Sequence, residues 1–287
     1  MAELQLGFKA FDMHELLCHF MAVHAGLYTQ HGLRVTLIDT TFMPDDKLPP
    51  NLVQVACGSA LSAWLRGAPN QVVCVATDRP LFWLYGRSAK TGLDAMKGAR
   101  IAGFPPIAPP AQFLKLILER AGLDPIRDVT IYAARDDIAR AGLLAAGDVD
   151  AAVISSAIPP AEMEHAGFSQ ISFFGDALRV PTTGLAVTRS LLQREGEAVR
   201  AMVTAYAQSL ALLQQDASAA PAVLEQTFRV PTRSLAPTCN LLRRCFTGAG
   251  RSPPDVTDGA VTLMAGLLGI TAVPAGSPYD FSLLPKG

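Results

Sequence analysis

Short apolar runs of β character alternate with longer segments of three-to-four apolar spacing along nearly the whole chain, and this alternation limits the folds open to it more than any other feature. Strands are predicted at residues 4–9, 34–39, 52–56, 71–76, 99–103, 128–132, 150–154, 170–174 and 182–188. Helices are predicted at 14–29, 58–67, 109–121, 136–146, 158–166, 189–214, 219–227, 234–246 and 255–268. That order argues for an α/β fold with parallel strands joined by helical crossovers. At 287 residues the chain exceeds the usual size of one compact domain, so two domains or one large α/β unit are expected.

The punctuation agrees. Gly32, Gly67, Gly122 and Gly147 each follow a helical run closely, where a left-handed cap suits a residue without Cβ. Asp136 and Thr188 stand where N-caps are wanted.

Composition removes several function classes. Half of the residues are hydrophobic and 17% are charged, which excludes an intrinsically disordered chain. With 24 Lys and Arg against 25 Asp and Glu and no basic block, nucleic acid is not an expected partner. No apolar run reaches the roughly 20 residues of a membrane span. The five cysteines are scattered and odd in number, and are expected to be free buried thiols. Met1-Ala2-Glu3 leads directly into a strand-like run, so the chain is expected either to stay in the cytoplasm or to be a periplasmic protein whose leader was removed. Gly-x-Ser-x-Gly, P-loop and Gly-x-Gly-x-x-Gly patterns are missing, and no cofactor or metal is expected.

Four predicted strands end in small or polar residues that lead into a helix: Phe11-Asp12-Met13-His14, Cys57-Gly58-Ser59-Ala60, Gly103 to Pro109, and Ser155 to Pro159. In open α/β sheets, ligands sit beyond the carboxyl ends of the strands, where helix N-termini offer unpaired N–H groups. All four segments are therefore candidates for one binding place.

Several motifs carry a family resemblance. Residues 22–37, with Gly26-Leu27-Tyr28 and Gly32-Leu33-Arg34-Val35-Thr36-Leu37, resemble the helix and Gly-Leu-x-Val-x-Leu opening of substrate-binding proteins of the nitrate/sulfonate/taurine type and of the thiamine-pyrimidine precursor type. Leu27 departs from the bulky or aromatic pair common there. Val53-Gln54-Val55-Ala56-Cys57-Gly58 is similar to the family's Val-Asp-x-Ala-x-Gly strand and loop, Leu93 to Ala102 to the start of its second lobe, and Ala145-Ala146-Gly147-Asp148-Val149-Asp150-Ala151 to its Ala-x-Gly-x-Val-Asp-Ala signature. The resemblance implies a two-lobed type II periplasmic-binding-protein fold with a central cleft and two crossover strands. Residues 1–83 would begin lobe I, 84–180 would form lobe II, and 181–287 would return to lobe I with C-terminal helices. The crossings are expected near Leu81 to Arg87 and Leu178 to Gly184.

Candidate contacts follow from the strand ends. His14, His19 and His24 are five apart, which points them to different faces of a helix and disfavours a shared metal. Asp12 and His14 are either ligand contacts or, for Asp12, an N-cap. Gly58 and Ala60 permit close backbone approach, while Ser59 offers a hydroxyl and an N–H, or an ordinary cap. The loop from Phe104 to Pro110 holds four prolines in seven residues and is stiff before any ligand arrives, so Ile107 and Ala108 are placed among the contacts. Phe82, beside Trp83, would stack on a planar solute or pack a hinge. Ser155, Ser156, Thr182 and Thr183 offer hydroxyls, and Arg79, Arg135 and Arg179 are candidate anion clamps.

The expected function is capture of a small organic anion or heteroaromatic solute by cleft closure, as the monomeric solute-binding component of an ABC importer working with a permease. A cytosolic decarboxylase-like or dehydratase-like enzyme, with His14 or Asp12 as acid or base, and a ligand sensor are the alternatives on the same scaffold.

Overall fold

The computed structural model describes residues 1–41, 43–44, 47–87, 92–106, 108–216 and 218–286. Ten strands are present among them: β1 (Ala2–Phe8), β2 (Leu33–Asp39), β3 (Leu52–Ala56), β4 (Asn70–Thr77), β5 (Phe82–Gly86), β6 (Arg100–Gly103), β7 (Thr130–Ala133), β8 (Ala151–Ser155), β9 (Ser169–Phe173) and β10 (Thr183–Thr188). The helices are α1 (Met13–His24), α2 (Leu27–Gln30), α3 (Cys57–Leu65), α4 (Pro109–Arg120), α5 (Asp137–Ala146), α6 (Pro160–His165), α7 (Phe174–Ala177), α8 (Arg189–Gln215), α9 (Ala219–Gln226), α10 (Thr232–Cys245) and α11 (Pro254–Leu267). A 3-10 turn covers Leu93–Met96.

The chain divides into two units, Met1–Asp78 with Val180–Gly287 and Arg79–Arg179, each built on one sheet. In the first unit the strand order is β2-β1-β3-β10-β4, with β1, β2 and β3 parallel and β10 antiparallel to both neighbours. In the second the order is β7-β6-β8-β5-β9, with β5 antiparallel to β8 and β9. The parallel strands expected from the alternation of elements are present in both sheets, and each sheet also holds one antiparallel strand, β10 in the first and β5 in the second.

β5 was not among the predicted strands; its segment had been assigned to a crossing. Phe82-Trp83-Leu84-Tyr85-Gly86 is buried at every position, as befits a strand with neighbours on both edges. Trp83 stacks on Phe173 of β9 at 4.9 Å between centroids, which fixes it as a packing residue. The predicted 14–29 helix is two helices, broken where Gly26 adopts φ 67°. Asp136 and Thr188 cap α5 and α8, accepting from the amides of Ala139 and Leu191. All five cysteines are free and buried.

Candidate ligand-binding site

In the first unit the carboxyl ends of β1 and β3 and the start of β10 bring six sequence candidates together: Asp12, His14, Gly58, Ser59, Ala60 and Thr182. Asp12 is buried and caps α1, its Oδ1 accepting from the Glu15 amide at 2.9 Å. His14, two residues on, is also buried, and its Nε2 lies 2.8 Å from the Thr182 hydroxyl. That hydroxyl reaches the Thr77 carbonyl at 3.3 Å, so with its proton turned there Nε2 is the donor of the pair. Burial pulls the His14 pKa down to about 3, and the imidazole is neutral across the physiological range.

The loop before α1 is held from below by a residue that the sequence reading passed over. Glu15 Oε2 accepts from the amides of Lys9 (2.6 Å) and Ala10 (3.1 Å), folding the carboxyl end of β1 onto the first turn of α1. Burial, and then the neighbouring Asp12 carboxylate, push the Glu15 pKa up.

Helix α3 begins at Cys57, immediately after β3, with Ala56 as its N-cap residue and no side chain capping it. Ser59 therefore stands inside the first turn and is not the cap. Among the described residues its hydroxyl has no hydrogen-bond partner, whereas the Gly58 amide donates to the Thr182 carbonyl at 3.2 Å. Gly58 and Ala60 are buried, and a Cβ at Gly58 would meet nothing within 4 Å. The start of α3 is thus an uncapped helix end beside His14 and Thr182, where the helix dipole favours negative charge.

The second unit has a different character. Helix α4 begins with Pro109 and Pro110 after its cap residue Ala108, and α6 begins with Pro160 after Pro159. Prolines there delete the amides that would face an anion. The Ala108 amide itself bonds to the Pro105 carbonyl, and Ile107 lies outside the described residues.

Ser155 is buried, and both its amide (2.6 Å) and its hydroxyl (2.8 Å) donate to Asp137. Its hydroxyl proton is therefore committed inside the unit. Ser156 is fully buried. Phe82 is buried edge-on against Phe104, with centroids 5.4 Å apart, and against Phe174 at 6.4 Å.

Arginine enters this unit at a place the sequence reading did not nominate. Arg135 and Arg179 are exposed, and Arg79 donates to the Gly175 carbonyl at 2.6 Å. The buried one is Arg140, 1% exposed, which donates to the carbonyls of Val153 (2.6 Å) and Ala134 (2.9 Å) and to the Asp137 carboxylate (2.8 Å). The signal was available: position 140 shares with Leu144 the buried face of α5, four residues apart, and an arginine on an apolar stripe demands partners.

The three histidines of α1 and its flank go separate ways, His19 Nδ1 lying 3.0 Å from the Tyr28 hydroxyl while His24 is exposed. Among the described residues no group of three His, Cys, Asp or Glu is placed to hold a metal ion. No helix among them is long and apolar enough to cross a membrane.

Comparison with known proteins places this geometry. The periplasmic aliphatic sulphonate binding protein SsuA from Escherichia coli superposes with a TM-score of 0.76 at 17% identity, over 96% of this chain and 90% of that one. SsuA from Xanthomonas axonopodis pv. citri, an alkanesulfonate-binding protein bound to MOPS, gives a TM-score of 0.75 at 18% identity, over 96% and 95%. The desulfurization enzyme DszB gives 0.67 at 14%, over 92% and 91%. These likenesses bear out the expected periplasmic-binding-protein fold. No curated protein matches the chain. The profile of the NMT1/THI5-like family matches residues 15–220, most of the 287, and the chain belongs to that family.

Proposed function

We propose that this protein binds a small organic anion or heteroaromatic solute at the strand ends of its first unit, as the solute-binding component of an ABC importer. The observation that carries the reading is the uncapped start of α3, with Gly58 and Ser59 next to a neutral His14 and the Thr182 hydroxyl, in a member of the NMT1/THI5-like family. An anionic group there is met by helix amides and hydroxyls rather than by a full positive charge. Two structural neighbours named for binding sulfonates support the anionic class. In this role the protein acts as a periplasmic monomer with a permease as partner.

The test is calorimetric titration of refolded, ligand-free protein with alkanesulfonates, taurine, nitrate, pyrimidines and aromatic carboxylates, with mass spectrometry of whatever copurifies before refolding. One class is expected to bind with a Kd of about micromolar or tighter. Gly58→Leu fills open space at the start of α3, so it is expected to abolish binding and leave the unfolding midpoint unchanged. Silence across the panel from folded protein, or full affinity in Gly58→Leu, would remove the reading.

A further inference from the structure

The end of the first sheet opposite to α3's start holds a recess that is partly open to solvent. The amino ends of β3 and β4 border a cavity of about 230 Å³, walled on its apolar side by Pro49, Pro50, Leu52 and Pro69 and on its polar side by Gln54 and Asn70. β3 runs from Leu52 at the cavity to Ala56 at the start of α3, roughly 13 Å at about 3.3 Å per residue, so this space is separate from the candidate site.

Its polar groups are two side-chain amides and two hydroxyls. Asn70 is 9% exposed and its side-chain amide has no hydrogen-bond partner among the described residues, and neither has that of Gln54. The hydroxyls of Thr188 and Ser190, also at the wall, lie 3.0 Å from each other, and Thr188 caps α8. No charged side chain lines the cavity among the described residues.

Gln54 is half-buried and Asn70 buried, and each of these two amides presents a donor and an acceptor side by side that no protein group among the described residues takes up. The complement of that pattern is another amide edge. An ionised ligand would lose its hydration here with no counter-charge, whereas a neutral one would not. The space equals the bulk volume of roughly eight waters, which suits a compact molecule of a single ring. We propose that this cavity binds a small uncharged carboxamide or lactam, held by Gln54 and Asn70 between proline and leucine walls.

Nicotinamide is a suitable probe, with nicotinate as its charged counterpart, titrated into the full ¹⁵N-labelled chain. The side-chain NH₂ signals of Asn70 and Gln54, identified by their loss in Asn70→Ala and Gln54→Ala, are expected to shift saturably with a millimolar Kd for nicotinamide. Nicotinate is expected to bind at least about tenfold more weakly, and each alanine variant, read through the other amide, to lose at least about tenfold in affinity. Ala63→Phe, which places a ring at the cavity wall, is expected to abolish the shifts. The proposal is overturned if both side-chain amides stay still in the folded protein, if nicotinate binds as well as nicotinamide, or if Asn70→Ala and Gln54→Ala leave the Kd unchanged.

Discussion

The guanidinium carbon of Arg140 stands 3.7 Å from the centroid of the Phe104 ring, and this contact joins helix α5 to the loop after β6. The same side chain holds the Ala134 carbonyl after β7 and the Val153 carbonyl of β8, so one residue ties together the carboxyl ends of three adjacent strands. Its charge is met by Asp137, whose other bonds fix Ser155. Arg140→Met is expected to destabilise the protein by roughly 3–5 kcal/mol, because it strands the largely enclosed Asp137 carboxylate without its cation. Arg140→Lys keeps the charge but not the planar fork, and its loss is expected to be intermediate. Urea unfolding at neutral pH reads both, and a loss under about 1 kcal/mol for the methionine variant would show that the tie is immaterial.

Element type and order were legible because periodicity and punctuation are local properties. The glycine after each of four helices indeed takes positive φ, from 67° at Gly32 to 93° at Gly67. Strand direction was not legible, since nothing local distinguishes β10 or β5 from a parallel strand. Asp12 was seen as both cap and contact, and the capping bond is formed. Ser59 was offered as a possible cap, but the helix begins at Cys57, one residue before the predicted 58, with Ala56 in the N-cap position. Arg140 was missed because its significance lies in Phe104, Ala134 and Val153, which only the folded second unit brings within reach.

Acid should weaken the fold through the first unit. Burial lowers the pKa of His14 to about 3 and of His19 to about 4, against an ordinary value of 6.5. Depressed histidines add no penalty above pH 6.5, where both states are neutral. Below it the unfolded chain takes up protons that the folded one refuses, and stability falls as pH drops toward the folded values. The expected slope is about 1.4 kcal/mol per pH unit per histidine between roughly pH 6 and pH 4. Glu15, whose pKa is raised from the ordinary 4.5, contributes with the opposite sign above that value, so the check is a difference: in chemical unfolding midpoints across that window His19→Phe should remove about 1.4 kcal/mol per pH unit from the slope.

Gly184 marks the tightest backbone contact in the first sheet. At φ 156° it lets β10 pass so close to β4 that an added Cβ would lie 2.0 Å from the Cys74 carbonyl oxygen. The obstructing atoms, the Cys74 carbonyl and Val75 Cα, belong to backbone, so relief requires parting β10 from the edge strand β4. Gly184→Ala is expected to cost more than about 4 kcal/mol and to leave little soluble protein, whereas Gly58→Ala, with open space at its Cβ, should fold normally. Comparable expression and melting of the two variants would refute this.

Thr182 joins the stability of the first unit to its proposed site. Its hydroxyl meets His14 Nε2 at 2.8 Å and its carbonyl receives the Gly58 amide, so it links the first turn of α1 to that of α3. Thr182→Val leaves a buried imidazole N–H without an acceptor, and a loss of about 1–3 kcal/mol is expected. Because that loss belongs to the pair, a double-mutant cycle with His14→Phe should return a coupling of at least about 0.5 kcal/mol. Thr182→Ser retains the hydroxyl and should restore most of the stability together with any solute affinity that the valine variant has lost. Stability restored without affinity would confine Thr182 to holding α1 against α3, whereas recovery of both would put its hydroxyl in service of the solute through an oriented His14.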